Sequence, residues 1–349
     1  MMRGAFLLSA SRSGSTMLSQ ILRMHPEVLS LSELLTMQAS RALLPGHISG
    51  AAFWRQLSRP TPLLRQLANP SVAPEEFLYH RVARRRFDPD NCPPLLAVTL
   101  PHLFDDPDPV FDQLAPMICA APRQRRADHY RHLFHCLAQD SNASLWIERS
   151  GGSLLAAPTL NALFPEAKKV LLLRDGRDTA LSMQNYKPAR FVIWMWKQAR
   201  RAGVDVLSAD AHLGRSRRIW LAELLGARLL PMRRIMAQPP SLQDCAAFWS
   251  AITLAGLRGL AQTPPEQLHV LRYEDIIEQP RPRLAGLADF LQISQDAAWL
   301  DAASPIPQPR APRHRALPEQ DREALDLWTA EARQAVARFP ALAAAPAER

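Results

Sequence analysis

The chain has 349 residues, 47% of them hydrophobic, so it can bury a large core as one elaborated α/β domain or as two smaller domains. Its formal net charge is +9, but only four of the 42 basic residues are lysines, and the chain is also rich in alanine and proline. The charge therefore reflects compositional bias, and it does not by itself indicate a nucleic-acid-binding protein.

Cysteine spacing and hydropathy bear on the compartment. The four cysteines are widely and irregularly spaced, which is typical of free thiols in a reducing compartment. No segment has the length and apolarity of a membrane-spanning helix, and the apolar run near the N-terminus is too short for a signal peptide. We therefore expect a cytoplasmic protein without a membrane span.

Five short apolar runs predict the strands of a parallel sheet, because they are nearly continuous rather than alternating, as in strands covered on both faces. They are residues 5–10, 95–100, 144–149, 169–174 and 269–273. Helical patterns lie between them; in the first, Met17, Leu18, Ile21 and Leu22 share one face. The predicted fold is α/β, with a P-loop-like central sheet of about five strands and helices on both faces.

Three segments lack strand signals. Residues 38–93 and 187–245 are rich in Arg, Pro and Leu, and we interpret them as mainly helical insertions that form walls of a substrate site. Residues 304–318 contain five prolines and are predicted to be extended, with a final amphipathic helix after them. We interpret the whole chain, residues 1–349, as one domain.

The turn after the first predicted strand, Ser11 to Thr16, reads SRSGST. A strand, a turn of small residues and a helix start direct backbone N–H groups and the positive end of a helix dipole at one spot, which suits an anion. A kinase-type phosphate loop would read G-x-x-x-x-G-K-[ST], and this turn lacks both that spacing and the lysine. The pattern therefore predicts an anion site and disfavours a magnesium-nucleotide kinase.

A second anion site is predicted in the segment VLLLRDGRDTALSM. Arg174 ends a predicted strand, and Ser182 lies inside the helix that follows. Arginine offers a charged planar fork to phosphate oxygens, and serine adds a directional donor. The alternative is a surface ion pair of Arg174 with Asp175 or Asp178.

Together the two segments resemble the sulfotransferases that use 3′-phosphoadenosine 5′-phosphosulfate (PAPS), in particular the bacterial and Golgi-type members. The first nucleotide loop of that family reads R-S-G-[ST]-T after the first strand. Three further segments are similar to family motifs: WIERSGGSL at 146–154, LRYEDIIEQP at 271–280 and DFLQI at 289–293. The resemblance thus covers, with gaps, most of the chain before the proline-rich segment.

The resemblance implies in-line transfer of a sulfuryl group from PAPS to a hydroxyl of a small-molecule or carbohydrate acceptor. Adenosine 3′,5′-bisphosphate (PAP) would be the second product, and no metal would be needed. Arg12 would stabilise charge on the leaving 5′-phosphate, and Arg174 and Ser182 would bind the 3′-phosphate. The remaining contacts to the 5′-phosphosulfate would come from Ser13, Gly14, Ser15 and Thr16.

Two residues are candidates for the base that takes the acceptor proton. Glu33, in HPEVLSLSELL, matches the position of the glutamate of tyrosylprotein-type relatives, although with Ser32 it also reads as a helix start. His102, just after the second predicted strand, lies where aryl-type relatives place a lysine and then a histidine, but Thr99 replaces the lysine. The sequence leaves both candidates open.

Arg310, Arg313 and Arg315 lie in the proline-rich segment, where they either close over the nucleotide phosphates as a lid or belong to a solvated linker. Three other functions compete with sulfuryl transfer: a catalytically silent nucleotide-binding protein of the same fold, a P-loop-type kinase and a nucleic-acid binder. A nucleic-acid binder would cluster arginines with interleaved aromatic residues, and only 7% of the chain is aromatic. We therefore expect no nucleic-acid partner.

Overall fold

A parallel sheet forms the centre of the fold. The computed structural model describes residues 2–67, 70–208, 230–309 and 311–339. The strands are β1 (Arg3–Ser9), β2 (Val28–Ser32), β3 (His47–Ile48), β4 (Gln124–Arg125), β5 (Leu145–Arg149), β6 (Lys168–Leu173) and β7 (Leu268–Arg272). Five of them pair in parallel in the order β2-β5-β1-β6-β7, while β3 and β4 form a separate antiparallel ladder. The predicted fold class is confirmed.

One of the five predicted strands is wrong. Residues 95–100 lie in two short helices, Pro94–Ala97 and Thr99–Leu103, and the strand missing from the prediction is Val28–Ser32. A short apolar run does not distinguish a buried strand from a buried helix, and here two prolines favour a helix start. The serines in VLSLS weakened the strand signal, yet Ser30 is buried because its hydroxyl donates to the carbonyl oxygen of Ser19 at 3.0 Å.

Helices surround the sheet. They are α1 (Ser15–Arg23), α2 (Gly50–Ser58), α3 (Pro62–Leu67), α4 (Pro94–Ala97), α5 (Thr99–Leu103), α6 (Pro107–Cys119), α7 (Arg126–Ala138), α8 (Ala157–Leu163), α9 (Gly176–Gln184), α10 (Lys187–Arg201), α11 (Met232–Ala237), α12 (Leu242–Leu260), α13 (Tyr273–Glu278), α14 (Pro280–Leu291), α15 (Ala297–Ala303) and α16 (Glu319–Ala337). Short 3-10 helices span Thr36–Arg41, Tyr79–Arg81, Pro89–Asn91, Ser153–Ala156, Pro265–Gln267 and Arg313–Ala316. Within the described ranges, every helix is too short or too polar to span a bilayer.

Both faces of the sheet are buried under helices. Alternating residues of β1 enter opposite cores, as the period of two in a strand requires. Phe6 and Leu8 pack with α7, α8 and α12, whereas Ala5 and Leu7 pack with α1, α14 and α15. This double covering explains why the strand sequences are nearly continuously apolar.

The two interpreted insertions contain helices in their described parts. Residues 38–93 carry α2 and α3, and residues 187–245 carry α10, α11 and the start of α12. Residues 209–229, in the second insertion, lie outside the described residues.

The proline-rich segment departs from its predicted extended form at Arg313–Ala316, which make a 3-10 turn. The cause is a tertiary contact. The backbone N–H of His314 donates to Oδ1 of Asp178 in α9 at 3.0 Å, and its ring Nδ1 lies 2.9 Å from the same oxygen. The segment is therefore held against the helix that also carries Ser182.

Candidate functional site

Each strand of the parallel sheet delivers one side chain to its carboxyl edge. They are Arg12 after β1, Glu33 after β2, Arg149 at the end of β5, Arg174 after β6 and Tyr273 after β7. Contacts join Glu33 to Arg149, Arg12 to Arg174 and Arg174 to Tyr273, each pair on neighbouring strands. Ligands bind at this edge in open α/β sheets, so the row of contacts marks the candidate site.

The loop between β1 and α1 has the strand, turn and helix start that the sequence predicts for an anion site. Ser13 Oγ donates to the carbonyl oxygen of Ala10 at 2.7 Å, and Gly14 precedes α1 with a left-handed backbone (φ 90°). α1 begins at Ser15, and no side chain caps its first N–H groups. These donors and the helix dipole therefore face the loop, as the sequence predicts.

Arg12 is the central cation of the site. Its backbone is left-handed (φ 65°), which for a non-glycine residue costs about 1–3 kcal/mol and is most often found at functional sites. Its Nε donates to Ser182 Oγ at 3.2 Å, its Nη1 donates to Glu76 Oε1 at 2.9 Å, and its guanidinium lies 4.6 Å from the ring centroid of Tyr186. The side chain is still 35% exposed, so it keeps donors for a ligand.

The two anion sites predicted from separate segments lie next to each other. The contact between Arg12 and Ser182 joins them, and Nη1 of Arg174 donates to the carbonyl oxygen of Arg12 at 3.2 Å. The ring of Tyr273 supports both halves, because it lies under the guanidinium of Arg174 (4.6 Å) and against Gly14.

The alternative reading of Arg174, as a surface ion pair, does not match the contacts. Asp175 pairs with Arg177 at 2.6 Å, and Asp178 pairs with His314. Within the described residues, Arg174 has no carboxylate partner among the ion pairs. Its charge is therefore free to meet an anion.

Glu33 forms a buried ion pair with Arg149. Its backbone is also left-handed (φ 57°), and its N–H donates to the carbonyl oxygen of Arg149 at 2.7 Å. Oε1 accepts from Nη1 of Arg149, and Oε2 accepts from the backbone N–H of Gly151 at 3.0 Å. Arg149 is only 3% exposed and also donates to Oγ1 of Thr16, so one arginine joins the candidate base to the anion loop.

Glu148, the residue before Arg149, has a buried carboxyl group that accepts hydrogen bonds from two nearby segments. Burial raises the pKa of its carboxyl to about 7. Oε1 accepts from the hydroxyl of Ser150 at 2.6 Å and from the backbone N–H of Leu35 at 3.2 Å. The carboxyl therefore fixes the chain after Glu33 to the end of β5.

His102 lies in α5, not after a strand as predicted, and it is almost fully buried. Its Nε2 lies 3.3 Å from Oγ of Ser19 in α1. Burial, together with the positive charges of Arg23 and Arg149, lowers the pKa of His102 to about 4. The imidazole is therefore neutral near pH 7, and a catalytic role for it stays a prediction.

Arg313 and Arg315 are exposed on the 3-10 turn that packs against α9. Arg310 lies outside the described residues. The turn is close to the helix that carries Ser182, but the proposed lid over the phosphates stays a prediction.

The sequence does not predict four residues of this site: Arg149, Tyr273, Glu76 and Tyr186. The first two lie in segments that resemble family motifs, so a signal was present, but their partners depend on the strand order. Glu76 lies within residues 38–93 and Tyr186 directly precedes α10, where no motif marks them. Only the folded chain brings both of them to Arg12.

Replacing Gly14 with alanine is expected to lower the free energy of unfolding by about 2–4 kcal/mol and to weaken anion binding. The new Cβ would lie 2.4 Å from Cδ2 of Tyr273, in addition to the strain of a left-handed alanine. Gly46→Ala is the matched control, because Gly46 also has a positive φ (100°) but open space around it. Denaturant unfolding of both variants separates the effect of the clash with Tyr273 from that of the left-handed backbone. Equal losses in the free energy of unfolding would contradict this prediction.

Several solved sulfotransferase structures are similar to this chain. No curated protein matches the chain. Among solved structures, a sulfotransferase domain from the curacin biosynthetic pathway is 16% identical, with a TM-score of 0.44, and the match covers 94% of this chain and 90% of that one. A sulfotransferase domain of the Synechococcus PCC 7002 olefin synthase is 17% identical, with a TM-score of 0.41, covering 94% and 87%. A sulfotransferase from Alicyclobacillus acidocaldarius is 17% identical, with a TM-score of 0.39, covering 98% and 96%.

The sequence model of the sulfotransferase family matches residues 5–236. This range includes the anion loop, Glu33, Arg149, Arg174 and Ser182, and it makes up about two thirds of the chain. The chain therefore belongs to the sulfotransferase family.

Proposed function

We propose that this sulfotransferase uses PAPS to sulfate a hydroxyl group of a small-molecule or carbohydrate acceptor. The observation that supports the proposal is the hydrogen bond between Arg12 and Ser182, because it joins the loop proposed for the 5′-phosphosulfate to the helix proposed for the 3′-phosphate. A donor with two separate anionic groups suits a site with two arginines, Arg12 and Arg174, whose side chains both lie at this edge. The missing lysine of the loop disfavours a kinase.

The chain offers suitable groups for each part of the donor. Arg12 and the N–H groups from Ser13 to Thr16 would hold the 5′-phosphosulfate, and Arg174 and Ser182 would hold the 3′-phosphate. Bound PAPS supplies the activated sulfuryl group. By analogy with phosphoryl transfer, the protein contributes positioning and charge stabilisation, and arginines take the part that a metal ion plays in kinases.

Glu33 is the base in this proposal. Its Oε2 accepts one hydrogen bond, from Gly151, and retains a lone pair for the proton of the acceptor hydroxyl. Arg149 holds the other oxygen, which fixes the direction of the carboxylate. The alternative base, His102, is almost fully buried, and its Nε2 already lies 3.3 Å from Oγ of Ser19, so this nitrogen is poorly placed to meet an acceptor hydroxyl.

The acceptor is proposed to bind along α10. A cavity of about 440 Å³ lies between α10 and α11, a volume in the range of small-molecule sites. Its walls combine apolar and cationic side chains, among them Arg190, Ile193, Trp194, Lys197, Arg234 and Ile235. The first lining residue in the chain is Arg190, four residues after Tyr186, whose ring contacts Arg12, so in this proposal the reacting hydroxyl points toward that end of α10.

The four cysteines are free thiols. They support the inference of a reducing compartment, for which we propose the cytoplasm.

Calorimetric titration with PAP tests the donor assignment. Selective binding of PAP over adenosine 5′-monophosphate and magnesium-ATP is expected, and Arg174→Ala should weaken PAP binding by about tenfold to a hundredfold, since hydrogen bonds from a charged donor contribute about 1.5–3 kcal/mol. Arg272→Ala is the control, because Arg272 is exposed at the end of the adjacent strand, and it should bind PAP like the parent.

Two results would contradict the proposal. Equal affinity for magnesium-ATP and PAP would favour a kinase-type nucleotide site. PAP binding that Arg174→Ala leaves unchanged would remove Arg174 from the 3′-phosphate site.

A further inference from the structure

Glu76 lies at the candidate site without a part in the proposed chemistry. Its Oε1 accepts from Nη1 of Arg12 at 2.9 Å, and its side chain is only 16% exposed. The segment is well anchored: Phe77 and Ala73 on either side are buried, and the N–H of Glu76 donates to the carbonyl oxygen of Ala73 at 3.0 Å. The fold therefore brings a carboxylate to Arg12 from a distant part of the chain.

This carboxylate faces the same cation that the donor anion needs. Arg12 has five N–H donors, and the contacts with Ser182 and Glu76 engage its Nε and Nη1. An incoming phosphosulfate would either displace Glu76 or share the guanidinium with it. In both cases the negative charge of Glu76 opposes that of the ligand, and the opposition is strong because the site is partly shielded from water.

We propose that Glu76 is the counterion of Arg12 before the donor binds, and that its charge sets the affinity for the donor and the product nucleotide. The inference rests on the proposed donor site at Arg12. Glu76 acts through Arg12 and is therefore a positioning residue. When the product leaves, Glu76 pairs again with the arginine, which keeps PAP from being held too tightly for release.

The other charged and titratable groups near Glu76 set the conditions of the test. Burial raises the pKa of Glu76 most, and the charge of Glu33 raises it as well; Arg149 and Arg12 lower it, but the pKa is raised overall. Tyr186 also faces this group, and burial raises its pKa so far that it stays neutral. Glu76 therefore loses its charge at a higher pH than an ordinary carboxyl group, and below that pH the opposition to the donor disappears.

The test compares PAP affinity in the parent, Glu76→Gln and Glu75→Gln. Glutamine keeps an oxygen that accepts from Arg12 and removes only the charge. Glu75 is exposed and makes the matched control. At about pH 8.5 we expect Glu76→Gln to bind PAP about tenfold more tightly than the parent, while Glu75→Gln is unchanged.

Lowering the pH gives the second readout. At about pH 5.5 the affinities of the parent and Glu76→Gln should be closer than at about pH 8.5, because the raised pKa of Glu76 makes the parent carboxyl take up its proton at a higher pH than an ordinary carboxyl group. The phosphate groups of PAP also titrate near pH 6, but they do so for all variants, so the ratio of affinities isolates Glu76. In an Arg12→Gln background the gain from Glu76→Gln should shrink to about twofold or less.

The outcomes separate this inference from the proposed function. Equal PAP affinity of the parent and Glu76→Gln at both pH values would overturn the counterion role, as would weaker binding by the variant, which would indicate a purely structural glutamate. A complete lack of PAP binding by all three proteins would overturn the donor proposal and this inference with it. Thermal unfolding of each variant confirms that the fold is intact.

Discussion

Glu33→Gln is expected to lower kcat by about a hundredfold to ten-thousandfold, with PAP affinity changed by less than about twofold. The amide has nearly the same volume as the carboxylate and can still accept from Arg149, but it cannot take the proton of the acceptor hydroxyl. Turnover is measured as PAP release from PAPS, with an acceptor found by screening hydroxyl compounds.

The matched control is Glu278→Gln, an exposed glutamate at the end of α13 that should leave the rate unchanged. An unaltered kcat in Glu33→Gln would remove Glu33 as the base and direct attention to His102. It would leave the family assignment intact, because that assignment rests on the family match.

Arg149→Met is expected to reduce the free energy of unfolding by about 3–5 kcal/mol and to abolish turnover. Removing one partner of a buried ion pair leaves the other charge uncompensated, and Glu33 is that partner here. The contact with Thr16 is lost as well, so the anion loop is no longer tied to β5. Urea unfolding measures the loss of stability, and PAP titration measures the effect of the lost Thr16 contact on nucleotide binding.

Arg86→Met is the matched control for this prediction. Arg86 also pairs with a carboxylate, Asp112, at 2.8 Å, but both side chains are about half exposed, so the loss should be below about 1 kcal/mol. The double variant Arg149→Met with Glu33→Gln should recover part of the stability, because the unpaired buried charge is gone. Similar losses in Arg149→Met and Arg86→Met would mean that the Glu33 pair is not buried as described.

Local sequence patterns predicted much of this fold. Four of the five parallel strands, the turn from Ser11 to Thr16 and the position of Arg174 at a strand end all follow from short-range signals. The error at residues 95–100 has a local cause too, because an apolar run of six residues suits both a buried strand and a buried helix. The serines of β2 look polar in the sequence and are buried only because α1 supplies a partner for Ser30.

The residues of the candidate site also fall into two groups: those that the sequence predicts and those that only the folded chain reveals. The sequence alone was enough for the α/β class, for the turn of small residues after the first strand and for placing Arg174 at a strand end with Ser182 in the next helix, since each depends on residues close together in the chain. Only the tertiary structure decided that Arg149 holds Glu33, that Glu76 faces Arg12 and that His102 is buried against Ser19. Those contacts join distant residues through the strand order and the packing of the inserted segments, and neither hydrophobic periodicity nor turn chemistry encodes that order.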